Sequence, residues 1–179
     1  LEYVVSEVTR INDLITDFLD FAKPSAPVRS TQAARPLVED ILGFCKPELE
    51  SHHIDAHIYD QAPGATLYAD ARQLKQAFLN LIINAIDAMP EGGQLSVGID
   101  QKDDYTVISI ADSGEGIAPD MIERIFTPFV TTKASGTGLG LAKVFSIMDS
   151  HDARIECVSD KGAGATFNLY IPSHGGDEA

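Results

Sequence analysis

The stretch NLIINAIDAM, residues 80–89, constrains the fold more than any other segment of the chain. Leu81, Ile82, Ile83, Ile86 and Met89 make it apolar almost all round, so a helix here has to bury most of its surface. Helical spacing also places Asn80, Asn84 and Asp87 on one stripe, at i, i+4 and i+7. A buried polar stripe costs free energy unless something satisfies it. Something in the fold or bound to it has to satisfy these polar groups.

Its neighbours supply a core. Asp70 is placed to cap the helix, and PEGG at 90–93 ends it. QLSVGID (94–100) and YTVISIAD (105–112) alternate as strands and are joined by residues 101–104, a hairpin. RIECVSD (154–160) and ATFNLYIP (165–172) form a second hairpin around KGAG. IDAHIYD (54–60) alternates as a strand, and ATLYAD (65–70) reads as a short one. Helices are expected at about 36–52, 121–125 and 139–150. The outcome is an α/β two-layer sandwich, a mixed and largely antiparallel sheet covered on one face by helices.

A different element precedes this domain. Leu1, Val4, Val8, Ile11, Ile15, Phe18 and Ala22 step by three and four, a heptad seam, and Val5, Leu14 and Phe21 widen it. Such a helix needs partner helices, and a dimeric bundle is expected. KPSAP at 23–27 breaks the pattern. The expected plan is a bundle helix at 1–23, a linker at 24–34, the sandwich domain at 35–172 and a disordered tail at 173–179. The net charge of −14 argues against nucleic acid or an anionic membrane as partner. Cys45 and Cys157 give neither a disulfide framework nor a metal spacing and suit a reducing, cytoplasmic setting. There is no stretch of membrane-spanning length and no signal peptide; the chain starts at Leu1, and it is expected to be a piece of a longer protein, whose membrane attachment this sequence leaves open.

Four segments carry chemistry. Asn84 offers a neutral oxygen suited to a hard cation such as Mg²⁺, although a buried Asn pair is also an ordinary hydrogen-bond network. In DSGEGI (112–117), Asp112 at a strand end can accept a hydrogen bond from an exocyclic amine. Gly114 and Gly116 beside it would let a flat ring approach the backbone; the alternative is a tight turn with a capping Asp. In GTGLGLAKV (136–144), Gly136, Gly138 and Gly140 precede a helix, so free N–H groups can cradle an anion. No Gly-Lys-Ser/Thr ending makes it a P-loop, and no βαβ unit surrounds it. In IFTPFVTTK (125–133), Phe126 and Phe129 flank Pro128 as an anchor, and Lys133 can reach phosphates or stay solvated.

Together, in this order and spacing, these segments resemble the N, G1, F and G2 boxes of sensor histidine kinases, within the ATPase superfamily that includes gyrase B subunits, heat-shock chaperones and MutL proteins. The resemblance covers about residues 35–172, and DFLDFAKP (17–24) resembles the second helix of the kinase dimerisation domain. NAIDAM with FTPFVTTK and a short lid resembles the nitrogen-regulation type. The resemblance implies a Bergerat-type fold that binds ATP and Mg²⁺, with Asn84 as metal ligand and Asn80 facing the same phosphates. It implies that Asp112 holds the adenine amine, that Gly114, Gly116, Ile117 and Phe126 belong to the base pocket, and that Gly136, Thr137, Gly138, Leu139, Gly140 and Leu141 border the phosphates. Lys133 and Thr132 would serve the phosphates from the lid at 131–137, and Asp87 would be structural or touch the metal's water shell. The implied partners are an upstream helix carrying the phosphoacceptor His, a response-regulator receiver domain, and a second copy of the protein.

Two departures sharpen this. Hydrolytic members of the superfamily carry a glutamate one turn before the metal asparagine; here that position is Asn80, which cannot take a proton. None of His52, His53, His57, His151 or His174 has the acidic neighbour of a phosphoacceptor box, so the acceptor is expected on another segment. The rival readings are an anti-sigma-type serine kinase, a hydrolytic ATPase, and a scaffold that binds nucleotide without transferring phosphate.

Overall fold

The computed structural model describes residues 26–131, 133 and 136–175. The heptad segment at 1–23, Thr132, and the tail beyond Gly175 lie outside them. The elements run β1 (Ser30–Ala33), α1 (Ala34–Ser51), β2 (Ile54–Asp60), β3 (Thr66–Ala69), α2 (Ala71–Ala88), β4 (Gly93–Lys102), β5 (Tyr105–Asp112), α3 (Pro119–Ile122), α4 (Gly140–Ser150), β6 (Arg154–Ser159) and β7 (Ala165–Pro172).

Five strands form one sheet in the order β2-β4-β5-β7-β6. The pairings are antiparallel except at one edge, where β2 runs parallel to β4. Both expected hairpins, β4–β5 and β6–β7, are present with every inward residue on one side. Leu95, Val97 and Ile99 of β4, Ile108 and Ile110 of β5, and Phe167, Leu169 and Ile171 of β7 are all buried. Three helices cover that face. α1 contributes Leu37, Val38, Ile41, Cys45 and Leu49, spaced by three and four. α2 contributes Leu74, Phe78, Leu81, Ile82 and Ile86, and α4 contributes Val144, Ile147 and Met148. Among the described residues no helix covers the other side of the sheet, and there Arg154 lies 4.9 Å from the Tyr170 ring and 5.6 Å from that of Tyr105.

Two segments differ from the sequence expectation. Ser30–Ala33, inside the stretch read as linker, pairs with β3 as a separate two-stranded sheet. Ser173, read as the start of a disordered tail, is buried: its N–H donates to Asp104 O, and its carbonyl accepts from Thr66 Oγ1. The buried hydroxyl of Thr106 also lies 3.0 Å from Ser173 Oγ, so the chain end satisfies polar groups that the sheet corner would otherwise strand.

The far ends of α2 and α4 are fastened to each other and to the entering chain. Asp70 caps α2, its Oδ1 accepting from Arg72 N and Gln73 N. Its own N–H donates to Nε2 of His151, which is fully buried at the end of α4. Nδ1 therefore carries the proton and donates to Ile147 O at 2.7 Å. Burial holds the His151 imidazole below its ordinary pKa, so it is a neutral core histidine. Val28 N donates to Asp70 Oδ2, and Arg29 pairs with Asp152 and donates to Ser150 O. The other histidines have no comparable setting, and His57 is exposed as its strand parity predicts.

Candidate functional site

A cleft of about 610 Å³ opens between α2, the loop after β5, α4 and the segment joining α3 to α4. The polar stripe of α2 forms one wall: Asn80, Asn84 and Asp87 all line it. Asp112, at the end of β5, lines the opposite end. The helix expected from the opening stretch thus lies between core and cleft, with Leu81 and Ile82 buried and Ile83 52% exposed at the rim.

Asp112 is held by its own loop. Its Oδ1 accepts from Gly114 N at 2.9 Å and from Ala165 N at 3.3 Å. Oδ2 is then the oxygen available to a ligand. Burial pushes the Asp112 carboxyl above its ordinary pKa, and the backbone donors of Gly114, Ala165 and Asp112 itself, with the Lys133 charge, oppose the shift. Ile117 and Phe167 add apolar walls beside it. Phe126 does not line the cleft; it packs behind, with ring centroids 6.5 Å from Phe167 and 5.8 Å from Phe145.

The glycines serve different purposes from one another. A Cβ on Gly114 would sit 2.5 Å from Ala88 O, and one on Gly116, at φ +67°, would sit 2.1 Å from Asp160 O. These two are required by close packing of the chain on itself, not by room for a ring, and Gly114 lies outside the cleft. Gly138, at φ +68°, is pressed against Phe129, itself at φ 65°, and accepts from Phe129 N at 2.9 Å. Only at Gly140 does the cleft glycine set have nothing within 4 Å of an added Cβ. Gly140 is the first residue of α4, so open space meets the free N–H groups of a helix start, a setting that favours an anion. Gly136, Thr137, Gly138 and Leu141 share that end of the cleft, whereas Leu139 is buried beneath it.

The stripe is satisfied from within the chain. Lys133 Nζ donates to Asn84 Oδ1 at 3.1 Å and to Asp87 Oδ2 at 2.7 Å. Asn80 Nδ2 donates to Gly140 O at 3.4 Å. The donor set suits Mg²⁺ bound largely through a ligand's phosphates: Asn84 offers one neutral oxygen with Asp87 a turn away. Among the described residues no cluster of three His, Cys, Asp or Glu could hold a metal by itself.

The sequence reading missed several cleft residues. Ala165 and Phe167 form part of the floor because β7 pairs Ala165 with Asp112 and Phe167 with Ile110. Met121, Val130 and Lys161 also line the cleft. Alternation in ATFNLYIP marks Ala165 and Phe167 as inward, but only the register puts them beside Asp112.

Residues 69–175, which contain every one of these cleft residues, match the model for the histidine kinase-, DNA gyrase B- and HSP90-like ATPases. The chain belongs to this family. Among curated relatives, the sensor histidine kinase ZraS of Salmonella typhimurium is 35% identical over 172 residues, 96% of this chain and 37% of that protein. Sporulation kinase E of Bacillus subtilis is 35% identical over 94% of this chain and 23% of its own length. The chain thus spans well under half the length of the curated relatives it matches. The nucleotide-free catalytic domain of histidine kinase ThkA superposes with a TM-score of 0.75 at 28% identity, over 81% of this chain and 95% of that one. Full-length ShkA in complex with AMPPNP superposes at 0.84 with 26% identity, over 97% of this chain and 39% of that one. This is the histidine kinase catalytic-domain fold, and the mixed, mostly antiparallel sheet agrees with the expectation from sequence.

Proposed function

We propose that this chain is the ATP-binding catalytic part of a sensor histidine kinase, which transfers the γ-phosphoryl group to a histidine on another segment or chain. The observation that carries this reading is the chemistry of the α2 stripe. A hydrolytic ATPase needs a proton acceptor beside the phosphates to activate water. Here the residue one turn before Asn84 is Asn80, whose amide cannot take up the proton. An imidazole nucleophile needs no such base, so phosphoryl transfer fits the wall better than hydrolysis.

In this reading Asp112 accepts the adenine amine through Oδ2, with Gly116, Ile117 and Phe167 walling the base. Asn84 holds Mg²⁺, with Asn80 facing the same phosphates; the metal supplies charge neutralisation on the phosphates when bound. Lys133 adds a positive point charge. The N–H groups at the start of α4, with Gly136, Thr137, Gly138 and Leu141, keep the phosphates in line. Thr132 belongs to the same group by sequence. Catalysis by this domain is positioning and charge stabilisation, since an imidazole nucleophile is presented by a partner helix.

The partners belong to the same proposal: a helix with the acceptor histidine, a second copy of the protein through the heptad segment, and a response-regulator receiver domain. A cytoplasmic location is proposed with them; among the described residues no helix is long and apolar enough to cross a membrane. The likeness to the nitrogen-regulation type rests on the NAIDAM and FTPFVTTK motifs alone.

The test is to mix this chain with a separate segment bearing an acidic-flanked histidine helix and γ-labelled ATP. Acid-labile label on that histidine is the expected result. Label on serine would support an anti-sigma-type kinase, and binding without transfer would support a scaffold.

A further inference from the structure

We infer that Asp87 is a positioning residue that holds Lys133 on the α2 wall, where its ammonium occupies the oxygen proposed for the metal. This deepens the proposed reading of the cleft and rests on it.

The geometry is specific. Asn84 and Asp87 are i, i+3 neighbours on α2, and Lys133 Nζ bridges them, 3.1 Å from Asn84 Oδ1 and 2.7 Å from Asp87 Oδ2. The lysine comes from a loop 46 residues further along the chain than Asp87, so this is a tertiary contact and not a helix-surface pair. Its backbone is tied as well: Lys133 N donates to Thr131 Oγ1, and Lys133 O accepts from Gly136 N. The side chains are 35% and 49% exposed, so the pair is accessible to exchange rather than locked in the core.

Two cations cannot share Asn84 Oδ1 at close range, because each repels the other. With a metal held at Asn84 Oδ1, the ammonium would be repelled from that oxygen, and the phosphates would give it a more negative partner than Asp87. Asp87 sets how firmly the lysine is held before that exchange. It acts through Lys133 and touches neither nucleotide nor reacting atoms.

The experiment has two arms on the full chain. In the first, nucleotide-free protein is treated with an amine-acylating reagent, and labelling is read by peptide mass spectrometry. Asp87→Asn should raise the rate at Lys133 about threefold, within the range that loss of a part-exposed ion pair supports, while Lys161 is unchanged. In the second, ATP binding is measured by calorimetry in EDTA, and again with Mg²⁺, for wild type, Asp87→Asn, Lys133→Met and the double variant. Asp87→Asn should tighten binding in EDTA about two- to fivefold, and most of that gain should vanish in the Lys133→Met background. An equal gain in both backgrounds means that Asp87 merely repels phosphate, and overturns the inference. Unchanged labelling with weaker Mg²⁺-dependent binding puts Asp87 in the metal's water shell and also overturns it. Wild-type protein that binds no ATP at all refutes the nucleotide reading itself, whatever the labelling shows.

Discussion

Asp112→Asn is the sharpest probe of the base pocket, because the structure dictates which way the amide turns. Oδ1 of Asp112 faces two backbone donors, Gly114 N and Ala165 N. In the Asn variant the amide oxygen keeps that place, and the NH₂ group takes the position of Oδ2. A donor then meets the donor of the adenine amine. A hydrogen bond to a charged group contributes about 1.5–3 kcal/mol, so ATP affinity should fall about ten- to a hundredfold. Inosine triphosphate carries a carbonyl at the same position, and the new NH₂ group can donate to it. The variant should therefore lose much less affinity for the inosine nucleotide, or gain some. Titration calorimetry with both nucleotides, at matched Mg²⁺, decides the matter. Equal losses for the two, or no loss for ATP, would refute the assignment of Asp112 to the amine. The wild type adds a pH signature. Because burial raises the Asp112 pKa, protonation removes the acceptor sooner on acidification than for an ordinary aspartate, and ATP affinity should fall as pH drops toward that raised value.

Two further outcomes are expected. Asn84→Ala should reduce Mg²⁺-dependent ATP binding more than binding in EDTA; equal reductions would remove Asn84 from the metal. His151→Leu strands the buried Asp70 N–H, while Ile147 O keeps the Ser150 Oγ donor, and should cost about 1–3 kcal/mol in urea unfolding followed by far-UV circular dichroism. The sign of its pH dependence follows from the lowered imidazole pKa: the wild type keeps the full contribution above the ordinary histidine value and loses it as pH falls through the folded one, whereas the variant lacks that slope. A variant within 1 kcal/mol of wild type would mean that His151 merely fills space.

The parts of the fold that were legible in the sequence are those with strong periodicity. The α2 pattern, the Asp70 cap and both hairpins follow from side-chain spacing that local physics enforces. Strand β1 was not legible, because Ser-Thr-Gln-Ala shows no hydrophobic alternation and gains its structure only by pairing with β3, over thirty residues away. The parallel β2–β4 edge pair likewise depends on a contact across the whole of α2. In the site, residue types singled out Asp112, Asn84 and Gly136, Gly138 and Gly140, which share one cleft. The reasons for Gly114 and Gly116 were hidden, since Ala88 O and Asp160 O come from distant segments. The Lys133–Asp87 pair was hidden for the same reason. A lysine in a loop and an aspartate on a helix carry no sequence mark of their meeting.

The fastening at Asp70, His151 and Arg29 has a mechanical consequence. Val28 and Arg29 grip the start of α2 and the end of α4. At about 1.5 Å of rise per residue, Asn80 and Asn84 lie roughly 15–20 Å from that grip along α2, and Gly140 lies about 15 Å from it along α4. A stiff pair of rods is thus handled at one tip while the chemistry sits at the other. A pull on the chain at residues 28–29 therefore loads both rods at the tips farthest from the cleft.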